Sequence, residues 1–97
     1  MRYYWVYLLL CDDASFYTGI SSDVDCRVAQ HNEGIDPHCY TYTRRPLKLV
    51  FATSYNDPES AIAFEKQLKG WSRKKKWALI RGNFGHLQRL SKRRGGE

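Results

Sequence analysis

Five side chains in this sequence offer chemistry that their neighbours do not: Tyr7, Tyr17, Arg27, His31 and Glu65. Two phenols, an imidazole, a guanidinium and a carboxylate suit proton transfer, neutralisation of developing negative charge and the holding of a hard cation. Their spacing is the reason to group them. On a helix, positions 24, 27, 28 and 31 form one stripe, and they hold Val24, Arg27, Val28 and His31, so two cationic or titratable groups share the core-facing side. Ala61, Phe64 and Leu68 make a second stripe with Glu65 inside it, where a carboxylate is costly to bury unless something pairs with it. Tyr7 and Tyr17 point to one face of a hairpin whose turn holds an odd number of residues, such as Asp12-Asp13-Ala14. Gly19 then sits across from Tyr7, and a glycine inside a strand commonly marks the close approach of another group. Taken singly, each has an ordinary reading: core-edge tyrosines, an arginine stem lying past Val24, a structural histidine, a Glu65–Lys69 pair one helical turn apart. The convergence of all five on one sheet face is what points to a site.

The elements that must position these groups follow from periodicity and capping. Residues 3–10 are aromatic and branched without polar alternation, which predicts a central strand covered on both faces. Residues 16–20 supply its hairpin partner. Ser21, Ser22 or Asp23 caps a helix running to about Asn32, and Gly34 stops it. Residues 33–46, with Gly34, Pro37 and Pro46, read as a loop. Residues 47–55 alternate as a half-exposed third strand, with Leu47, Leu49 and Phe51 on one side. Asp57-Pro58 opens a helix that ends at Lys69 before Gly70, and Ser72 caps another through Arg81. Phe84, Leu87 and Leu90 space out a last short helix before a basic tail. The expected fold is α/β, a small three-stranded sheet with helices packed on it, in one domain over residues 1–97.

Charge says more by its distribution than by its total of +6. Residues 66–97 carry eleven Lys or Arg against Glu97 alone, whereas residues 1–65 carry five against nine Asp or Glu. A basic block of this kind favours a polyanion through counterion release, and nucleic acid is the usual partner. Its densest part is Lys69, Trp71, Arg73, Lys74, Lys75 and Lys76, where exposed helix amides and cations would meet phosphates and Trp71 could stack on a base or close the core. Cys11, Cys26 and Cys39 are odd in number and widely spaced, which argues against a disulfide framework or a structural zinc site. No apolar run reaches the roughly 20 residues needed to cross a bilayer. No secretory leader is apparent, so a cytoplasmic protein is expected.

The residues in order resemble the GIY-YIG nuclease superfamily, in its small single-domain branch related to the excision-repair nuclease module. Trp5-Val6-Tyr7 and Tyr17-Thr18-Gly19 stand where that family has its two tripeptides, and residues 25–32 look like its helix bearing Arg and, one turn on, His or Tyr. The stretches 42–50 and 64–76 are also similar, so the resemblance covers about residues 3–81. It implies a metal-dependent endonuclease acting on DNA, with one Mg²⁺ or Mn²⁺ held by Glu65. Tyr7 would activate the attacking water with His31 as helper or substitute base, Tyr17 would hold the nucleophile or a phosphate oxygen, and Arg27 would stabilise charge on the phosphoryl oxygens. An unperturbed phenol near pKa 10 is a poor base, so Arg27 and the metal are expected to lower that of Tyr7. Two departures stand out: Ile20 occupies a position where many members have Lys, and Trp77 or its neighbours fall where many have Asn. They leave open a rival reading, a decayed module that binds DNA or a protein partner without cutting.

Overall fold

The computed structural model describes residues 3–82. Within them the order is β1 (Tyr4–Leu10), β2 (Phe16–Ser21), α1 (Val24–Glu33), a single 3-10 turn (Tyr42–Arg44), β3 (Lys48–Tyr55), α2 (Pro58–Lys69) and α3 (Arg73–Ile80). The short helix expected from Phe84 onward lies outside the described residues. All strands are antiparallel, in the order β2-β1-β3. The continuous apolar run of β1 is thus central: Val6 and Leu8 bury on one face, Tyr7 and Leu9 on the other.

The β1–β2 turn has the odd count that puts Tyr7 and Tyr17 on one face. Cys11 donates its N–H to Ser15 O at 2.9 Å and Ala14 donates to Cys11 O at 2.9 Å, with Ala14 in the left-handed region at φ 67°. This is a three-residue hairpin loop, a tight turn followed by one left-handed residue. It sets the register Tyr7↔Gly19 and Leu9↔Tyr17. Each helix starts on a side-chain cap that satisfies an otherwise orphaned amide: Asp23 accepts from Cys26 N at 3.1 Å, Asp57 from Ser60 N at 2.8 Å and Ser72 from Lys75 N at 3.2 Å.

One expected alignment is corrected. Leu47 and Leu49 pack on the α1 side of the sheet, but Phe51 packs with Val50 on the α2 side. A register shift opposite Leu8 and Leu9 inserts Val50 as an extra residue in β3, and such a bulge exchanges the faces of everything beyond it. Two cores result. Ala61 and Leu68 of α2 and Leu79 of α3 close one over Val6 and Leu8, with Phe64 and Trp71 packed against it. Val24 and Val28 of α1 close the other over Tyr7 and Leu9. The helices α1 and α2 therefore lie on opposite faces of the sheet.

Candidate active site

Gly19 governs how Tyr7 reaches the edge of the sheet. The Tyr7 ring is only 1% exposed and lies across the strand from Gly19, so close that a Cβ on Gly19 would overlap its Cζ and Oη. The missing side chain lets a phenol rooted on the central strand extend beneath β2 to the sheet's edge. There it lines a cleft of about 450 Å³ together with Tyr17, Gly19, Arg27, Glu65 and Lys69. Tyr17 stands 6.5 Å from the Tyr7 ring centre and is stacked by Tyr40, whose other neighbour is the Arg44 guanidinium 3.8 Å over its ring. Arg44 is itself tied to Asp13 of the hairpin turn at 3.0 Å.

Four of the five expected residues, Tyr7, Tyr17, Arg27 and Glu65, thus line one cavity, though not as a concave patch on one sheet face, and His31 falls outside that lining, in a second pocket with Cys39 and Thr41. Tyr7, Tyr17, Arg27 and His31 belong to the α1 side, whereas Glu65 and Lys69 rise from α2 on the other. They meet because β2 is an edge strand and the cleft wraps around it, taking in Thr18 and Ile20 as well as Tyr17 and Gly19. Periodicity places each residue correctly on its own element; it carries no information about which face a helix docks on.

His31 sits behind Tyr7. It is 5% exposed, its Nε2 lies 3.4 Å from the Tyr7 hydroxyl and its Nδ1 lies 2.9 Å from Thr41 Oγ1. Burial first, and the Arg27 charge second, hold the imidazole below its ordinary value of 6.5, so the ring is neutral at pH 7. The Tyr7 phenol is pushed up to about 12, because burial and the neighbouring Tyr17 outweigh the lowering effect of Arg27. Arg27 acts in the expected direction, yet desolvation wins.

Glu65 is 15% exposed at its side chain and pairs with Lys69 at 3.0 Å, so the helical pair weighed from sequence and the cleft position both hold. Among the described residues no group of three or more His, Cys, Asp or Glu could form a protein cage for a metal. One carboxylate facing a cleft instead suits a hard cation that keeps waters and takes its remaining ligands from phosphate oxygens.

The basic stretch divides. Lys69 and Lys76 line the cleft, and Lys74 is exposed. Trp71 closes the core: it packs edge-on to Phe64 at 5.8 Å, with Lys75 4.4 Å over its ring, so it is not a free stacking platform. Arg73 reaches back to the hairpin and donates to Ala14 O at 2.6 Å. Thr41, which cradles His31, carries no signal in the sequence because it lies in an aperiodic loop.

A model of the GIY-YIG catalytic domain matches residues 3–78 of this sequence. The chain belongs to the GIY-YIG family. That places it in a nuclease family, and its relatives are of the same compact kind. A UPF0213 protein of Staphylococcus aureus strain Mu50 is 40% identical over 81 residues, covering 84% of this chain and 98% of that protein. The solution structure of a UPF0213 protein from Bacillus halodurans is 38% identical, covers 80% of this chain and 82% of its own, and superposes with a TM-score of 0.52. A solution structure of an E. faecalis protein is 28% identical over 87% of this chain and 88% of its own, with a TM-score of 0.60. The three-stranded GIY-YIG sheet described above is thus shared. Among the described residues, no helix is long and apolar enough to cross a membrane.

Proposed function

We propose that this GIY-YIG chain is a metal-dependent endonuclease that hydrolyses phosphodiester bonds in DNA, nicking one strand in a repair or mobile-element setting. The observation that supports it is the meeting of Tyr7, Tyr17, Arg27 and Glu65 around one open cleft with cations at its rim. A phenol at about 12 keeps its own proton at neutral pH and cannot by itself take one from water. Coupled to a neutral imidazole it can: as water gives a proton to Tyr7 Oη, the phenolic proton passes to His31 Nε2, and the hydroxide so formed attacks phosphorus. The Arg27 guanidinium meets the charge that grows on the phosphoryl oxygens, and Tyr17 orients the water or a phosphate oxygen. Glu65 would hold a single Mg²⁺ or Mn²⁺, which when bound supplies Lewis acidity at the departing 3′ oxygen. Ile20 brings no charge to the cleft, but Lys69 and Lys76 do, from α2 and α3.

The rival, a decayed module that binds DNA or a protein partner, draws on Ile20 and on the stretch around Trp77, a residue that packs edge-on to Phe16 at 5.2 Å, where Trp77 or its neighbours stand in place of the Asn of many members. Incubation with supercoiled, nicked and branched DNA in Mg²⁺, Mn²⁺ or EDTA separates the two. Metal-dependent nicking is expected, and Arg27→Ala should lose about 2.7 to 4 kcal/mol of transition-state stabilisation while DNA affinity is kept. Absence of metal-dependent cleavage on every substrate, with binding intact, would give the chain to the rival.

A further inference from the structure

Behind the cleft, three polar groups form a chain of hydrogen bonds, and the donation of Thr41 to Cys39 sets its direction. Thr41 is 1% exposed and His31 5%, and among the described residues every buried side-chain nitrogen and oxygen has a partner. A threonine hydroxyl has one hydrogen to give. Thr41 Oγ1 gives it to Cys39 Sγ at 3.3 Å, so it meets His31 Nδ1, 2.9 Å away, as an acceptor. Nδ1 therefore carries the imidazole's proton. A neutral imidazole has only one N–H, which leaves Nε2 bare and turned toward the Tyr7 hydroxyl.

We propose that Thr41 is a positioning residue: its hydroxyl, oriented by Cys39, holds His31 in the tautomer whose bare Nε2 accepts the Tyr7 proton. The loop that carries Thr41 is well enough tied to do this. Cys39 N donates to Asp36 O at 3.1 Å, Tyr42 N to Cys39 O at 3.0 Å and Arg44 N to Thr41 O at 3.0 Å, so three successive turns fix the hydroxyl's place. Two rings flank the imidazole, Tyr17 edge-on at 5.1 Å and Tyr7 tilted at 6.5 Å. The groups facing His31 are Tyr7 from β1, Tyr17 from β2, Arg27 from its own helix, and Cys39 and Thr41 from the loop. Among them only Thr41 offers a short acceptor to Nδ1–H. Without it, a proton on Nε2 would face Tyr7 with a donor, and the phenol would have nowhere to pass its hydrogen. Orienting one nitrogen through a bond made by the other is a common way to set imidazole chemistry.

The tautomer can be read directly from long-range ¹H–¹⁵N correlations of the ¹⁵N-labelled chain near pH 8, where His31 is neutral. The parent and Thr41→Ser should show His31 protonated on Nδ1. Thr41→Val, which keeps the shape and removes the hydroxyl, should move the proton wholly or partly to Nε2. In the cleavage assay, Thr41→Val should lose roughly 10²-fold in kcat with KM unchanged, and Thr41→Ser should restore most of it. A parent protonated on Nε2, or a Thr41→Val variant with an unaltered tautomer, would overturn the proposal. If Thr41→Val fails to fold, the parent and Thr41→Ser spectra still decide it. The catalytic consequence rests on the nuclease reading, but the tautomer does not, so a chain that cuts nothing and one that lacks this proton order give different results.

Discussion

Gly19→Ala is the smallest change that tests how Tyr7 reaches the cleft. An added Cβ would overlap Tyr7 Cζ and Oη and lie 2.9 Å from Cε1, where ordinary carbon contact needs about 3.5 Å. The ring cannot swing into solvent, because it is 1% exposed and packed with Leu9, Val24 and Leu47. It must therefore shift by about 1 Å within a filled core, or β2 must lift away from β1. Overpacking of this kind costs about 1 to 3 kcal/mol. Misplacement of a reacting group by about 1 Å costs on the order of 10²-fold in rate. The variant should accordingly unfold at lower urea, by an amount within that range, and nick DNA on the order of 10²-fold more slowly at unchanged affinity. Urea titration followed by far-UV circular dichroism, alongside single-turnover cleavage, measures both. A Gly19→Ala chain as stable and as active as its parent would refute the claim that the phenol must pass beneath this residue.

Glu65→Gln should abolish Mn²⁺ binding in calorimetry yet cost at most about 0.5 kcal/mol of stability, because its ion pair with Lys69 is a one-turn helical pair at the protein surface. Unchanged Mn²⁺ binding would move the metal elsewhere. His31 has a folded-state pKa below its ordinary 6.5, so the stability it contributes is full above that value and lost as pH falls through the folded one. Urea midpoints should therefore drop less steeply below pH 6.5 in His31→Gln than in the parent, and identical slopes would contradict this. Tyr7 has the opposite sense: its contribution is intact below pH 10.0 and lost between there and about 12, a loss that Tyr7→Phe should remove. Replacing Arg73, Lys74, Lys75 and Lys76 with Gln should weaken DNA binding and flatten its salt dependence, the slope falling by about one for each phosphate left without its cation. An unaltered slope would place the DNA surface elsewhere.

Much of the fold is legible in the sequence because it rests on local rules. The caps Asp57 and Ser72 fall where expected, Asp23 is the cap among the three candidates Ser21, Ser22 and Asp23, and the odd hairpin count pairs Tyr7 with Gly19. What the sequence conceals is decided by residues far apart along the chain. The bulge that turns Phe51 to the α2 side has no signature in residues 47–55, since an extra residue looks like any other valine. Helical spacing shows that Glu65 breaks an apolar stripe, but not that α2 docks opposite α1 and reaches the cleft around an edge. Trp71 suits both core and ligand on sequence grounds, because an aromatic at the end of a basic run fits either; packing against Phe64 resolves it. Asn32 reads only as a helix end, yet its amide donates to Leu47 O at 3.1 Å and accepts from Leu47 N at 2.7 Å, joining α1 to the start of β3.

A site built on the rim of β2 also protects that rim. Edge strands present unpaired backbone groups that invite a strand from another molecule, and proteins guard against this with charged side chains, lysine above all. Arg27, Lys69 and Lys76 stand around this edge. The cations that would attract a phosphodiester are therefore also gatekeepers against self-association. Variants that neutralise them in search of a catalytic phenotype should become more prone to aggregate, so light scattering belongs beside every activity measurement made on them.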